Sequence, residues 1–320
     1  MIKIAVVGCG QIAQRWLRVL TAHPKVSVTA LVDTDLAAAR RLHALGQVDA
    51  VTATTVHQAL ALANVEAIVN LTPPAAEPEM TRLGLTLGLH VLAEKPLTVR
   101  AAPAQALIAH AEQVGRRLMV MRNRAFDPGY SAFVRSVAGR GPLLAAGETF
   151  VQLRAPGFRT AHTALADLGV HAIEQARRLT DAPVIAVRCT EHPAAHLAPH
   201  AGLVTLLLEF ADETVVSWRG GYAGPGLRTP ANGRWSADTA TGSATFDGQR
   251  QLRVGDEMVE LEPAAPGYEL CIGDMLAVLT GGSITPASVS ATDHATSISV
   301  LEAATLSLST GDRIQLAGTR

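Results

Sequence analysis

The sequence predicts an α/β domain with a doubly wound parallel sheet, followed by an α+β domain with a largely antiparallel sheet. At 320 residues the chain is longer than one hydrophobic core usually supports. Strand-like and helix-like segments alternate up to Met121, whereas several strand-like segments follow one another further along the chain. We therefore expect one domain over residues 1–121 and a second over residues 122–320.

The first domain is predicted from short apolar runs that alternate with helical patterns. The run Ile4–Val7 ends at a glycine, as expected of a strand that is buried on both faces. The further segments are a helix over 11–22, a strand over 26–32, a helix over 35–45, a strand over 65–71, a helix over 77–87, a strand over 90–93, a helix over 101–114 and a strand over 118–121. This alternation predicts parallel βαβ units with helices on both faces of the sheet.

The second domain is predicted from a change in this pattern. Asp127-Pro128-Gly129 is typical of a helix start. The further expected elements are a helix over 162–179, strands over 203–210, 214–219, 243–246, 251–254 and 258–261, and helices over 268–279 and 293–308, with a loop over 221–233. Consecutive strands joined by short turns predict hairpins, and helices beside them indicate an α+β domain.

The composition excludes several classes of function. Lys and Arg total 27 against 28 Asp and Glu, so no basic excess suggests a nucleic acid or an anionic membrane as partner. No apolar run reaches roughly 18 residues, and the N-terminal run is too short for a signal peptide. The three cysteines are widely spaced, and no His, Cys or carboxylate cluster has metal-ligand spacing. We therefore expect a cytoplasmic protein without a metal, acting on a small molecule.

A glycine-rich motif lies between the first predicted strand and the first predicted helix. Gly8-Cys9-Gly10-Gln11-Ile12-Ala13 is a G-x-G-x-x-A fingerprint. Glycine at position 8 permits a tight turn, and glycine at position 10 lets a pyrophosphate approach the backbone at the helix N-terminus. The sequence therefore predicts a Rossmann dinucleotide site with Gly8, Gly10, Gln11 and Ile12 against the cofactor.

Asp33 ends the second predicted strand, about 20 residues after the glycine motif. A carboxylate at this place accepts hydrogen bonds from the adenosine ribose hydroxyls and repels a 2′-phosphate, which favours NAD over NADP. Asp33 could instead cap the following helix, although Asp35 is the better candidate for that role. Arg40 or Arg41 could also reach a phosphate.

Four further motifs carry a resemblance to a known family. They are Asn70-Leu71-Thr72-Pro73-Pro74, Glu94-Lys95-Pro96, Asn123-Arg124-Ala125-Phe126-Asp127-Pro128 and Asp167-Leu168-Gly169-Val170-His171. In this order after the glycine motif, they resemble the glucose-fructose oxidoreductase and inositol dehydrogenase family over most of the chain. Many members carry two arginines where this chain has Arg124-Ala125.

The resemblance implies an NAD(P)-dependent dehydrogenase or ketoreductase of a sugar, an inositol or a related polyol. It implies that Lys95, Asp167 and His171 are the catalytic set, and that Thr72, Pro73, Glu94 and Lys95 line the cofactor. It also implies a C-terminal sheet with one open face, through which members form dimers or tetramers. We expect a homodimer or a homotetramer.

The expected chemistry suits these residue types. Oxidation of a secondary alcohol needs a base for the hydroxyl proton, and imidazole titrates near neutral pH. Asp167 lies four residues before His171, so a helix would place both side chains on one face. Lys95, one of only three lysines, would stabilise the charge that develops on the reacting oxygen. Each feature also has a plainer interpretation, since Asp167, His171, Glu174 and Arg178 could form a solvated face and Lys95 could be a surface lysine.

Four further side chains are weaker candidates for contacts with the substrate, namely Asn123, Arg154, Arg159 and His162.

Two alternatives to a dehydrogenase stay open. One is a glycosidase or lyase in which a retained NAD is oxidised and reduced within each cycle. The other is a regulator that binds NAD without catalysis, for which the glycine motif alone would suffice.

Overall fold

The computed structural model describes residues 1–152, 164–194, 202–223, 225–281 and 289–317. The chain forms two compact units, one of Met1–Met121 with Tyr268–Ala295 and one of Arg122–Gly267 with Thr296–Arg320. The predicted contiguous domain over 122–320 differs from this division, because Tyr268–Ala295 lies in the first unit. The physical reason is packing: Cys271, Ile272 and Met275 are buried in the core of the first unit.

The first unit is built on a six-stranded parallel sheet with the order β3-β2-β1-β4-β5-β6. Its strands are β1 (Ile2–Val7), β2 (Val26–Val32), β3 (Val51–Ala53), β4 (Ala67–Asn70), β5 (His90–Ala93) and β6 (Leu118–Val120). Its helices are α1 (Gln11–Ala22), α2 (Leu36–Gly46), α3 (Val56–Leu62), α4 (Glu77–Thr86), α5 (Ala101–Gln113) and α8 (Gly267–Leu279), with the first residue of α8 assigned to the second unit. The predicted α/β fold is confirmed.

Helices cover both faces of this sheet because successive strand residues point in opposite directions. Ile4 and Val6 of β1 belong to one buried cluster, which includes Trp16. Ala5 and Val7 belong to another, on the opposite face. The near-continuous apolar strand that the sequence predicted is thus buried on both sides.

The second unit contains a nine-stranded sheet with the order β14-β13-β12-β11-β7-β10-β9-β8-β15. Its strands are β7 (Leu143–Val151), β8 (Val184–Pro193), β9 (Gly202–Phe210), β10 (Val215–Tyr222), β11 (Arg234–Thr239), β12 (Gly242–Phe246), β13 (Gln251–Val254), β14 (Glu257–Glu260) and β15 (Ile314–Gln315). Strand β10 pairs with β7 in parallel, and the other pairs are antiparallel. The largely antiparallel sheet is therefore confirmed.

One face of this sheet is covered and the other is open. Along β10, Val216 and Trp218 are buried while Ser217 and Arg219 are exposed, and the neighbouring strands alternate in the same way. The covered face packs on α6 (Pro128–Val137), α7 (Val170–Ala176) and the later part of α9 (Ala291–Thr310). No helix of the described residues is both long and apolar enough to cross a membrane.

The helix expected over 162–179 is shorter and less regular than predicted. A π-helical turn spans Leu165–Gly169 and α7 follows it directly, while residues 162 and 163 lie outside the described residues. Single π-helical turns of this kind occur frequently at functional sites. Asp167 lies in the π-helical turn and His171 in the first turn of α7.

Candidate active site

The glycine loop of the first unit has the geometry that a dinucleotide needs. Gly8 adopts φ +93°, and a Cβ there would lie 2.5 Å from the backbone oxygen of Leu71. A Cβ on Gly10 would meet no atom within 4 Å, so space for a ligand adjoins this residue. Helix α1 begins directly afterwards, and Gly10 offers no side-chain cap to its first N–H groups.

At the start of α1, one side chain packs in the core and two are exposed to solvent. Ala13 is fully buried, which keeps the helix close to the sheet, whereas Gln11 and Ile12 are exposed. Burial raises the pKa of the Cys9 thiol to about 12, and the nearby Asp33 charge acts in the same direction. A thiol with so high a pKa stays protonated at neutral pH, so Cys9 is no nucleophile.

Asp33 is fixed at the end of β2 by two backbone donors. Its Oδ2 accepts a hydrogen bond from the Cys9 N–H at 2.8 Å, and its Oδ1 accepts one from the Asp35 N–H at 2.9 Å. Asp35, not Asp33, caps α2, through the Ala37 N–H at 2.9 Å. The remaining lone pairs of Asp33 can accept ribose hydroxyls, so the space beside Gly10, the N-terminus of α1 and Asp33 together fit NAD.

The loop after β4 is held by a buried amide. The Oδ1 of Asn70 accepts hydrogen bonds from the N–H and the hydroxyl of Thr72, at 3.2 and 2.7 Å. Its Nδ2 donates to the Glu77 carbonyl and to Thr81 Oγ1, at 2.9 and 3.0 Å. Thr72 and Pro73 are thereby presented at the carboxyl end of the sheet, where ligands of doubly wound folds bind.

Glu94 and Lys95 follow the carboxyl end of β5. Glu94 Oε1 accepts hydrogen bonds from the Trp16 indole at 2.8 Å and from the Tyr268 hydroxyl at 2.9 Å. Burial raises the pKa of Tyr268, and the negative Glu94 adds to this effect, so the phenol remains a donor. Lys95 is partly exposed, and its peptide bond to Pro96 is cis.

The Trp16 and Tyr268 contacts with Glu94 were absent from the sequence predictions. They join residues 78 and 174 positions apart along the chain. Because no local pattern encodes contacts over such separations, only the recognition of Glu94 as a site residue could have prompted a search for donors.

In the second unit, the face that carries Asp167 and His171 is not a solvated helix face. Every residue of α7 is buried, His171 being 2% exposed. Glu174 forms a buried ion pair with Arg122, whose Nε donates to its Oε1 at 2.9 Å. Charges buried in this way need a specific partner, so the plainer interpretation of a solvated face is wrong for His171 and Glu174, while Asp167 and Arg178 are partly exposed.

Asp167 accepts a hydrogen bond from a residue that the sequence predictions did not include. The Tyr222 hydroxyl, at the end of β10, donates to Asp167 Oδ2 at 2.8 Å. Burial raises the pKa of Tyr222, and the charge of Asp167 and this hydrogen bond raise it further. The Arg124 guanidinium lies within electrostatic range of both groups, and burial lowers its pKa while Asp167 acts in the opposite direction.

The position where many members of the family carry a second arginine is occupied by buried Ala125. The Arg178 guanidinium donates to the Ala125 carbonyl oxygen and lies over the Phe126 ring at 4.4 Å. The Arg122 guanidinium also lies over that ring, at 5.1 Å. Arg178, which follows the C-terminal end of α7, therefore places a guanidinium beside Ala125.

Of the four side chains that were predicted to contact the substrate, the structure describes one. Asn123 is half-buried in the turn before α6. Arg154, Arg159 and His162 lie outside the described residues. Within the described ranges, no group of three or more His, Cys, Asp or Glu side chains is arranged to hold a metal ion.

Comparison with known proteins identifies the class. Residues 2–122 match the model of an oxidoreductase family with an NAD-binding Rossmann fold. The match covers less than half of the chain, and the family is similar to the one that the chain's motifs resemble. Its first unit is thus an NAD-binding domain.

Two relatives are similar to part of the sequence, and one solved structure shares the fold. The inositol 2-dehydrogenase of Burkholderia ambifaria (strain MC40-6) is 29% identical over 217 residues, 62% of this chain and 61% of that protein. The dTDP-3,4-didehydro-2,6-dideoxy-alpha-D-glucose 3-reductase of Streptomyces antibioticus is 36% identical over 120 residues, 37% of this chain and 36% of that protein. The chain thus matches less than two thirds of the length of either. An oxidoreductase from Agrobacterium radiobacter, solved in complex with NAD+, L-tartaric acid and magnesium, has the same fold, with a TM-score of 0.85, 15% identity and 98% of each chain covered.

Proposed function

We propose that this chain is an NAD-dependent oxidoreductase that transfers a hydride between the nicotinamide and a secondary alcohol or ketone of a sugar, an inositol or a related polyol. The observation that carries the proposal is that Lys95, Asp167 and His171 accompany an intact glycine loop. A protein that only bound NAD would need the loop and not the proton-transfer set. The substrate class rests on the relatives, which are named for inositol and deoxysugar substrates.

The proposed chemistry divides between three side chains of the protein. When bound, NAD supplies the hydride acceptor. His171 takes the proton of the reacting hydroxyl, and the Lys95 ammonium stabilises the negative charge that develops on that oxygen. Asp167 orients the substrate or the imidazole, and the hydrogen bond from Tyr222 in turn fixes the carboxylate of Asp167.

The cofactor preference follows from the groups at the end of β2. Both carboxylate oxygens of Asp33 are held by backbone N–H groups, so the negative charge stays in place against a 2′-phosphate. Arg41 is paired with Asp35 at 3.3 Å, on the exposed side of α2. We therefore expect turnover with NAD and much weaker turnover with NADP; comparable kcat/KM values for the two would contradict the role of Asp33.

The open face of the nine-stranded sheet supports a homodimer or a homotetramer. A trough of about 810 Å³ lies on the strands of this sheet, and small side chains of neighbouring strands, Ala146, Ser217 and Ser236, lie in one row across its middle. Exposed Leu144 and Leu207 add apolar surface beside them. The same sheet of a second copy fits such a face, because small side chains in its middle allow close approach of two sheets.

A cytoplasmic location is consistent with the cysteines. All three, Cys9, Cys189 and Cys271, are buried free thiols. Unpaired thiols are the usual state of cysteine in a reducing compartment.

The test is a spectrophotometric screen with purified protein, NAD or NADP, and a panel of sugars, inositols and sugar acids. NADH formation with one class of polyol would support the proposal. Cleavage of a glycoside without net NADH would favour the retained-NAD alternative. NAD binding in calorimetry with no reaction across the panel would favour the regulator.

A further inference from the structure

The carboxylate of Glu94, the residue before Lys95, receives hydrogen bonds from two helices of the first unit. Its Oε1 accepts the Trp16 indole N–H of α1 at 2.8 Å and the Tyr268 hydroxyl of α8 at 2.9 Å. Its Oε2 accepts the Lys95 backbone N–H at 3.4 Å. Two donors can occupy both lone pairs of Oε1, so the position and the plane of the carboxylate are fixed. The proposed chemistry uses neither Trp16 nor Tyr268.

The two donor side chains are themselves held in place by packing. Trp16 is fully buried in a cluster with side chains of β1 and β2. Tyr268 is 6% exposed, and its ring meets the Trp16 ring edge-on, with the centroids 6.1 Å apart and an angle of 78° between the planes. The Arg15 guanidinium lies over the Tyr268 ring at 4.9 Å. Rings packed in this way have few alternative rotamers, so the carboxylate that they bind has little freedom to move.

The backbone of residues 94–97 is held by longer hydrogen bonds than this carboxylate. The Glu94 N–H donates to the Asn70 carbonyl at 3.4 Å, and the Leu97 N–H donates to His294 Nε2 at 3.3 Å. The bonds to Glu94 Oε1 are shorter, and a charged acceptor strengthens them. The carboxylate of Glu94 is therefore a firmer anchor for this turn than either of these backbone bonds.

We propose that Trp16 and Tyr268 are positioning residues, which act through Glu94 to hold the turn that carries Lys95. The proposal rests on the proposed function of Lys95, because a group that must meet a reacting oxygen depends on exact placement. Helix α1 begins directly after Gly10, so the helix that would receive the cofactor pyrophosphate also supplies the indole that binds Glu94. The Lys95 turn is thereby tied to the cofactor loop through side chains of the protein alone.

The first test does not depend on turnover, and it measures backbone hydrogen exchange by mass spectrometry. Tyr268→Phe removes one donor to Glu94 and keeps the ring that packs on Trp16. Loss of a hydrogen bond to a charged group should raise the exchange rate of a peptide that covers residues 94–97 by about tenfold or more. Peptides of β1 and β4 should exchange as in the wild type, because only the turn loses its anchor.

The matched control is Tyr130→Phe, which removes a buried hydroxyl that donates to the Gln175 carbonyl at 2.6 Å in the second unit. Exchange of the 94–97 peptide should not change in this variant. Trp16→Phe removes the other donor and should raise the exchange of that peptide as Tyr268→Phe does; if Trp16→Phe fails to fold, Tyr268→Phe decides. Unchanged exchange of the 94–97 peptide in Tyr268→Phe, or an equal rise throughout the first unit, would overturn the proposal, whatever the enzyme catalyses.

The second test asks whether Tyr268 acts through Glu94, and it measures kcat at saturating NAD with a substrate from the screen. Tyr268→Phe should lower kcat by about tenfold and change the Kd for NAD by less than about twofold. Glu94→Ala removes the acceptor, so the addition of Tyr268→Phe to that variant should lower kcat no further. A fall of kcat by the same factor in both backgrounds would overturn the coupling through Glu94. Failure of the proposed function would instead appear as a lack of turnover in the wild type, with the exchange result unaffected.

Discussion

The hydrogen bond from Tyr222 to Asp167 joins two single residues. Its effect on catalysis can be measured separately from its effect on the stability of the protein. Tyr222→Phe removes a hydrogen bond to a charged group, which is worth about 1.5–3 kcal/mol. We expect kcat/KM to fall by about tenfold to a hundredfold while the Kd for NAD stays unchanged.

The control for this variant is Tyr130→Phe, in the same unit. The Tyr130 hydroxyl is also buried and donates to the Gln175 carbonyl at 2.6 Å, away from Asp167. Its loss should lower the Tm and leave kcat/KM near the wild-type value. Equal losses of kcat/KM in both variants would contradict a specific role for Tyr222.

Lys95 allows an equally direct test at the residue scale. Lys95→Met keeps most of the length of the side chain and removes the positive charge that we propose stabilises the reacting oxygen. We expect kcat to fall by about 1,000-fold or more, with NAD binding in calorimetry largely intact. Turnover at the wild-type rate would refute the catalytic assignment.

The sequence was informative about individual residues where local motifs carry the information. Asp33, the glycine loop and Asp35 as helix cap follow from residues that lie close together in the chain. The donors to Glu94 and Asp167 do not, because Tyr268 and Tyr222 come from distant elements. The burial of Glu77, which is 1% exposed, is equally invisible in the sequence, since a glutamate in the first turn of a helix is ordinarily exposed.

At the scale of elements, the turn from β1 into α1 gives a matched pair of variants. Gly8→Ala places a Cβ 2.5 Å from the Leu71 carbonyl oxygen at a φ of +93°, so both the Tm and NAD binding should fall. Gly10→Ala meets no protein atom within 4 Å. Its Tm should stay close to the wild-type value, while its Kd for NAD should rise by about tenfold or more, because the methyl group occupies the space proposed for the pyrophosphate.

These expectations are checked by thermal melting together with calorimetric titration of NAD. Unchanged NAD affinity in Gly10→Ala would mean that the cofactor does not approach the backbone at this turn. A stable, NAD-binding Gly8→Ala would mean that the turn tolerates another conformation.

The sequence predicted those helices and strands that have a strong hydrophobic period and sufficient length. Strand β3 and helix α3 are too short to give a clear period, and β7 is rich in alanine and glycine. The π-helical turn before α7 has no sequence period of its own, and it depends on the packing around Leu165 and Leu168. The apolar pattern of α8 predicts a helix without indicating which sheet it covers.

For the whole molecule, the open sheet face predicts self-association. Leu144→Arg puts a charge on this face, at a side chain that is 64% exposed in one chain. We expect light scattering to show a dimer or a tetramer for the wild type and a smaller assembly for the variant, because a charge buried at an interface is costly.

The matched control is Leu45→Arg, on α2 of the first unit, where the leucine is 68% exposed. This variant should keep the assembly of the wild type. A wild-type mass equal to one chain would contradict the proposed oligomer, and dissociation in both variants would contradict the choice of face.

The measurement that tests the proposed function most directly is the transfer of deuterium from substrate to cofactor. The polyol that reacts in the screen is labelled at its carbinol carbon, and the reduced cofactor is analysed by mass spectrometry after a single turnover. Direct hydride transfer predicts one deuterium in each molecule of NADH and a slower reaction for the labelled polyol. Unlabelled NADH, or conversion of the polyol without reduction of NAD, would contradict the proposed function.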